Sequence, residues 1–359
     1  MKNAKISNID GAALAFLAVM TNTLTVLPGV DAGVVWPSNL IAGVLAFLSA
    51  LLISVCCDRF PDDGIYSVIK KCIGKIPAAI LGFLLLALVI VSFIVSLTVF
   101  SRFVQITALP QTPQIILPIL LALLAALSAR GGMQTACGAA RLLFWFVAAV
   151  FLLFIGFGVT ELSLTLLEPE FESVKSLFAA AGEIFLNRFS LVPALFVIYT
   201  KMQDKGGRRK FFLGSIGLAT LVIAAISAIC VCVLGKSGAK ADFYPVYTVM
   251  SLFSFGGFIQ HTEIFACIAM TLCLFFKGAV CLAFSEEILD GIFGISDGRG
   301  VFLPLALLSA YSTQLIYRDI SSLRGLLGWK SGAIYVLLLY LLIPPLLFVA
   351  SYRKKKKTE

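Results

Sequence analysis

The sequence predicts an all-α polytopic membrane protein with about ten transmembrane helices. Three observations carry this. Hydrophobic residues make up 60% of the chain and charged ones 13%, with a mean hydropathy of +1.02; soluble domains are about half apolar and about a quarter charged. Many apolar runs reach the roughly 20 residues needed to cross a bilayer as helix. The runs are continuous rather than alternating, and of the two architectures that satisfy the backbone in lipid, helices and closed barrels, this selects helices.

The spans fall at residues 9–30, 34–57, 78–106, 113–130, 138–160, 182–200, 210–235, 262–286, 301–317 and 332–352. The N-terminus "MKNAKISNID" shows no cleavage pattern, so the first span is read as part of the mature chain. Its middle carries "MTNTLTVLPG": Thr21, Asn22, Thr23 and Thr25 compete for backbone hydrogen bonds, and Pro28 removes a donor. The connection after the second span repeats Ile65, Val68, Ile69, Cys72 and Ile73 at three- and four-residue spacing. That is one apolar face, as of a helix lying at the membrane surface. Arg102 sits near the far end of the third span, where it either snorkels to the interface or faces the interior. The sixth span contains "NRFSLVPAL", with Asn187, Ser190 and Pro193 together. Arg188 lies beside them, placed either to snorkel or to pair with Glu183. Residues 237–261 are too irregular for a span and apolar enough to pack on the outer mouth. His261, the single histidine, reads as a hydrogen-bonded interface residue.

Interruptions in the first and sixth spans suit five spans plus an inverted five, with the freed backbone groups binding a ligand near the midplane. The competing reading of each is an ordinary proline kink. The whole chain, 1–359, is then one integral membrane domain: a first repeat over 1–160, a second over 161–317, and a last helix with a basic tail over 318–359.

Lys277 lies in the middle of "MTLCLFFKGAVCLAF" in the eighth span, where a charge costs several kcal/mol and marks a functional site by default. The alternative is a structural hydrogen bond inside the bundle. Elsewhere charge reports topology. Of the 28 Lys and Arg residues, 19 fall on the side of the two tails and 6 on the other, which makes both termini cytoplasmic. The net charge of +9 is thus a topology signal, and nucleic acid is not an expected partner. The nine cysteines lie mostly within apolar runs without paired spacing, so neither a metal site nor a cofactor is expected. No nucleophile motif or intramembrane carboxylate cluster supports an enzyme.

The order of several short pieces carries a resemblance. "RFP" at residues 59–61 is followed by the amphipathic stretch and "IGK" at 73–75. "LPQTP" stands at 109–113. "DFYPVYTVMSLFSFGGFIQHTEIF" leads into the eighth span and places an acid at Glu263. "LFFKGAVCLAFSEEILDGIFGI" and the tail "YRKKKKTE" complete the set. Together they resemble the B subunit of spore germinant receptors (the GerAB type), a branch of the amino acid–polyamine–organocation transporter superfamily. The resemblance covers nearly the whole chain. It implies a ten-helix inverted-repeat fold with helices one and six unwound, and the inner membrane of a dormant spore. It also implies receptor A and C subunits as partners, and sensing of a small nutrient, usually an amino acid. Two stretches depart from the family pattern. "LPGVDAGVVWPSN" is compressed, and the Gly-Glu pair often found in the sixth span is replaced by Val192 and Pro193.

The expected ligand site has three parts. Backbone N–H groups around Thr23, Leu24 and Thr25 meet a carboxylate, as helix ends do. Carbonyls around Phe189, Ser190 and Leu191 receive an ammonium, and Phe100, Phe103 and Phe189 wall the side-chain pocket. In sodium-coupled relatives an ion lies between helices one and eight. The resemblance implies that Lys277 stands in its place and satisfies carbonyls of the first helix. The second reading is a secondary transporter of amino acids on the same fold.

Overall fold

The computed structural model describes residues 5–23, 34–61, 63–160, 174–203, 207–242, 244–253, 262–295, 298–316 and 342–352. The described residues are helical apart from turns and one isolated bridge, Ile6 with Met202. In chain order the helices are α1 (Asn8–Met20), α2 (Val35–Arg59), α3 (Ile65–Ile73), α4 (Lys75–Thr107), α5 (Ile116–Gly131), α6 (Met133–Thr160), α7 (Val174–Ile184), α8 (Val192–Tyr199), α9 (Arg208–Ala241), α10 (Pro245–Leu252), α11 (Glu263–Phe293), α12 (Phe302–Ile316) and α13 (Leu342–Tyr352). Among the described residues, six helical stretches are long and apolar enough to cross a membrane: α2, α4, α6, residues 176–199, α9 and α11. The chain is an integral membrane protein.

Its packing follows from that solvent. Large apolar side chains point outward on many helices, as Leu142 (78% exposed) and Trp145 (72%) do on α6. That is unfavourable in water and neutral against lipid tails. The interior is occupied by elements that are apolar all round, as buried helices must be. All eight residues of α8 are buried, and so are nine of the thirteen in α1. Around this centre α1 packs on α6, α9 and α11, while α2 packs on α7 and α9. Helix α11 runs against α4, α5, α6 and α8.

Local chemistry sets the ends. Helix α3 forms where the apolar stripe predicted it, with Ile65, Val68, Ile69 and Cys72 buried. The seventh span was expected to end at residue 235. Helix α9 continues to Ala241, but its backbone leaves the helical region at Gly235 (φ 71°, ψ 164°), a conformation open to a residue without Cβ. The fifth span begins five residues earlier than expected, at Met133. Arg141, within α6, reaches Asp10 at 3.3 Å. In the stretch 237–261, residues 245–252 form the short helix α10. His261 lies outside the described residues.

Candidate functional site

Helix α1 stops inside the expected first span. Helix α1 ends at Met20, and Thr21, Asn22 and Thr23 form a turn closed by the Thr23 N–H on the Met20 carbonyl at 3.0 Å. Thr21 Oγ1 donates back to the Ala18 carbonyl (2.8 Å), the local competition that loosens helices at such residues. It also reaches across to the Cys273 carbonyl of α11 (3.0 Å).

The sixth span is interrupted. After α7 the chain widens into a π-helical turn, Phe185–Phe189, passes through a turn at Ser190 and Leu191, and resumes as α8. Two side chains explain this. Asn187 Nδ2 donates to the Glu183 carbonyl (2.8 Å). Pro193 has no N–H, so the carbonyl four residues earlier, on Phe189, lacks its helical donor. Single π turns inside α-helices often mark functional sites.

The turn after α1 meets the sixth-span break. Asn22 Nδ2 donates to the Asn187 carbonyl at 2.7 Å. Ser190 Oγ, in the sixth-span turn, lies 3.0 Å from Ser92 Oγ on α4. One turn further along α4, Ser96 accepts a hydrogen bond from Lys277 Nζ at 2.7 Å and donates to the Ser92 carbonyl at 2.9 Å. A polar layer thus crosses the bundle from α11 through α4 to the sixth-span turn. Gly278, next to Lys277, lets α11 close on its neighbours: a Cβ there would stand 2.7 Å from Ala125 Cβ and 2.7 Å from the Phe93 ring.

Lys277 is 2% exposed. It snorkels nowhere. Its hydrogen bond among the described residues goes to Ser96 on α4, against which α11 packs. None of the ion pairs among the described residues includes it. Arg188 is also buried. It donates to Asn39 Oδ1 of α2 (3.2 Å) and to Ser227 Oγ of α9 (3.5 Å).

The remaining expected residues divide as follows. Thr23 is 1% exposed, and its hydroxyl has no hydrogen-bond partner among the described residues; the same holds for Ser101 on α4. Leu24 and Thr25 lie outside the described residues. Phe100 and Phe103 are buried on α4 with ring centroids 6.3 Å apart. Phe103 also meets Tyr244 (5.0 Å) and Tyr247 of α10 (5.2 Å), forming an aromatic layer at that end of the bundle. Phe189 is buried against Phe185, and among the described residues no ring contact joins it to Phe100 or Phe103. Leu191 is buried in the turn.

Sequence reasoning passed over Ser92, Ser96 and Ser101. Ser92, Ser96, Phe100 and Phe103 stand at i, i+4, i+8 and i+11, one face of a helix. That serine-then-aromatic stripe was the available signal. No group of three or more His, Cys, Asp or Glu side chains able to hold a metal occurs among the described residues.

Residues 5–320 match the family model described as "Spore germination protein". No curated protein matches the chain. Among solved structures, the chain is similar to MhsT in complex with L-phenylalanine, at 13% identity and a TM-score of 0.64; the match covers 98% of this chain and 96% of that one. It is similar to a Na+-coupled sialic acid symporter in a substrate-bound outward-open state, at 10% identity and a TM-score of 0.63, covering 92% of this chain and 79% of the other. A manganese transporter of Eremococcus coleocola gives 13% identity and a TM-score of 0.53, covering 95% and 78%. At these identities the likeness concerns the fold. With the family matched over most of the sequence, this chain belongs to the spore germination protein family.

Proposed function

We propose that this protein is the nutrient-sensing subunit of a spore germinant receptor, binding a small germinant, an amino acid, in a pocket halfway through the bundle. The proposed architecture has ten spans, five plus an inverted five, with the first and sixth broken. The observation that supports the reading is the contact between the turn after α1, at Asn22, and the sixth-span break, at Asn187, since backbone released from helix is tolerated at membrane depth only where it lines a cavity or is buried in protein.

In this reading the first-span break, with Thr23, Leu24 and Thr25, receives the ligand's carboxylate. The carbonyls of Phe189, Ser190 and Leu191 receive its ammonium. Phe100, Phe103 and Phe189 contact its side chain, and Lys277 supplies the fixed positive charge. Binding shifts the bundle only so far as the ligand prefers one of its states. That shift is passed to the receptor A and C subunits, in the inner membrane of the spore, with both termini cytoplasmic.

A transporter of amino acids is the second reading, favoured by the fold the chain shares with transport proteins. Two measurements separate them. Spores carrying Lys277→Met, with the protein still present in the membrane, should lose the nutrient response; an unaltered response refutes the ligand site. Saturable uptake of a labelled amino acid into proteoliposomes holding this chain alone would replace the sensing role with transport.

A further inference from the structure

Lys277 carries three N–H donors, and its hydrogen bond among the described residues is the one to Ser96. The ion pairs among those residues, Lys71 with Asp63, Arg141 with Asp10, and Arg208 and Arg209 with Asp58, all leave it aside. An ammonium buried at this depth without an anion is destabilising by several kcal/mol, and it persists where a partner arrives.

The surroundings show from which direction. Ser101 lies five residues beyond Ser96 on α4, about 7.5 Å along the axis. On the antiparallel α11, Cys273 stands four residues from Lys277, about 6 Å, and accepts from Thr21, two residues before Thr23. Thr23 and Ser101, whose buried hydroxyls have no hydrogen-bond partner among the described residues, therefore lie about one turn to the same side of Lys277. Beyond them come Phe103, Tyr244 and Tyr247. The order along the bundle is cation, then hydroxyls, then aromatic rings.

We propose that Lys277 is the counter-charge for a carboxylate on the ligand, which lies with that group toward Lys277 and Ser96 and its apolar part toward the Phe103 layer. This rests on the ligand pocket proposed above and changes the carboxylate's partner within it, from the first-span N–H groups to the ammonium: an α-amino acid or other carboxylate with an apolar body binds, and the corresponding neutral amide binds far more weakly. It also differs from the role of ion substitute. The ammonium serves the ligand rather than the first helix.

The test uses the full-length chain in lipid nanodiscs. Its thermal unfolding midpoint is read with each common amino acid, with the matching α-carboxamide, and with the amine lacking the carboxylate. At least one amino acid should raise the midpoint, while its amide and amine bind at least about tenfold more weakly, the worth of one charge-assisted hydrogen bond. Lys277→Gln should abolish the acid's effect and Lys277→Arg retain part of it. If Lys277→Gln does not fold, the acid–amide comparison on the unaltered protein still decides. Equal shifts from acid and amide, or a full shift in Lys277→Gln, overturn the counter-charge and leave the pocket standing. Protection by chloride alone also overturns it. If no amino acid or carboxylate shifts the midpoint, the pocket falls and this inference with it.

Discussion

Asp58 shows how much one side chain can hold at the edge of a membrane bundle. Its Oδ1 accepts from Tyr199 Oη (2.7 Å) and from Nε and Nη2 of Arg208 (2.9 and 2.5 Å), and its Oδ2 pairs with Arg209. The Arg208 guanidinium also stacks over the Tyr199 ring at 4.6 Å. One carboxylate therefore ties the ends of α2 and α8 to the start of α9. Arg208 is 2% exposed, so Asp58→Ala strands a buried charge and should lower stability by about 3 kcal/mol or more. Asp63→Ala breaks the exposed pair with Lys71 and the hydrogen bond from Ser67 and should cost only about 1 kcal/mol. Denaturant unfolding of both variants in micelles checks the contrast. Asp58 is silent in the sequence because an acid at a span end is ordinary. Lys277 is loud because an ammonium amid apolar neighbours has no ordinary explanation.

At the scale of elements, the sixth-span break was legible in part. It could be read from Pro193 beside Asn187 and Ser190, since a missing N–H and two competing side chains act locally. Its widening into a π turn, and the turning of Arg188 inward onto Asn39 and Ser227, could not, because those depend on α2 and α9 standing where they do. Helix α11 illustrates close approach. Gly278→Val would place new carbon against Phe93 and Ala125 and should destabilise by about 1–3 kcal/mol through overpacking, seen as a lower thermal midpoint. The shift should exceed that of Gly214→Val on α9, where nothing stands within 4 Å of the added atom.

For the whole molecule, the excess of Lys and Arg on one side predicts that both tails face the cytoplasm. Cysteines introduced at residues 3 and 358 should react with a membrane-impermeant maleimide in inside-out vesicles and not in right-side-out ones; labelling of either tail from outside would reverse the orientation. The exposed apolar belt, with Leu142 and Trp145 among its members, requires lipid on every variant tested, so unfolding comparisons belong in one fixed membrane mimic.

By itself the sequence determined the all-α membrane class, most limits of the described helices, the amphipathic helix α3, the break in the sixth span, and the lysine within α11. Each follows from composition, period or a local backbone conflict, which act within a few residues. The tertiary structure alone decided which groups meet: Asn22 with the Asn187 carbonyl, Lys277 with Ser96, and Phe103 with Tyr244 and Tyr247. These pairings join residues far apart in the chain, and serines inside apolar helices look alike until packing sets two of them face to face.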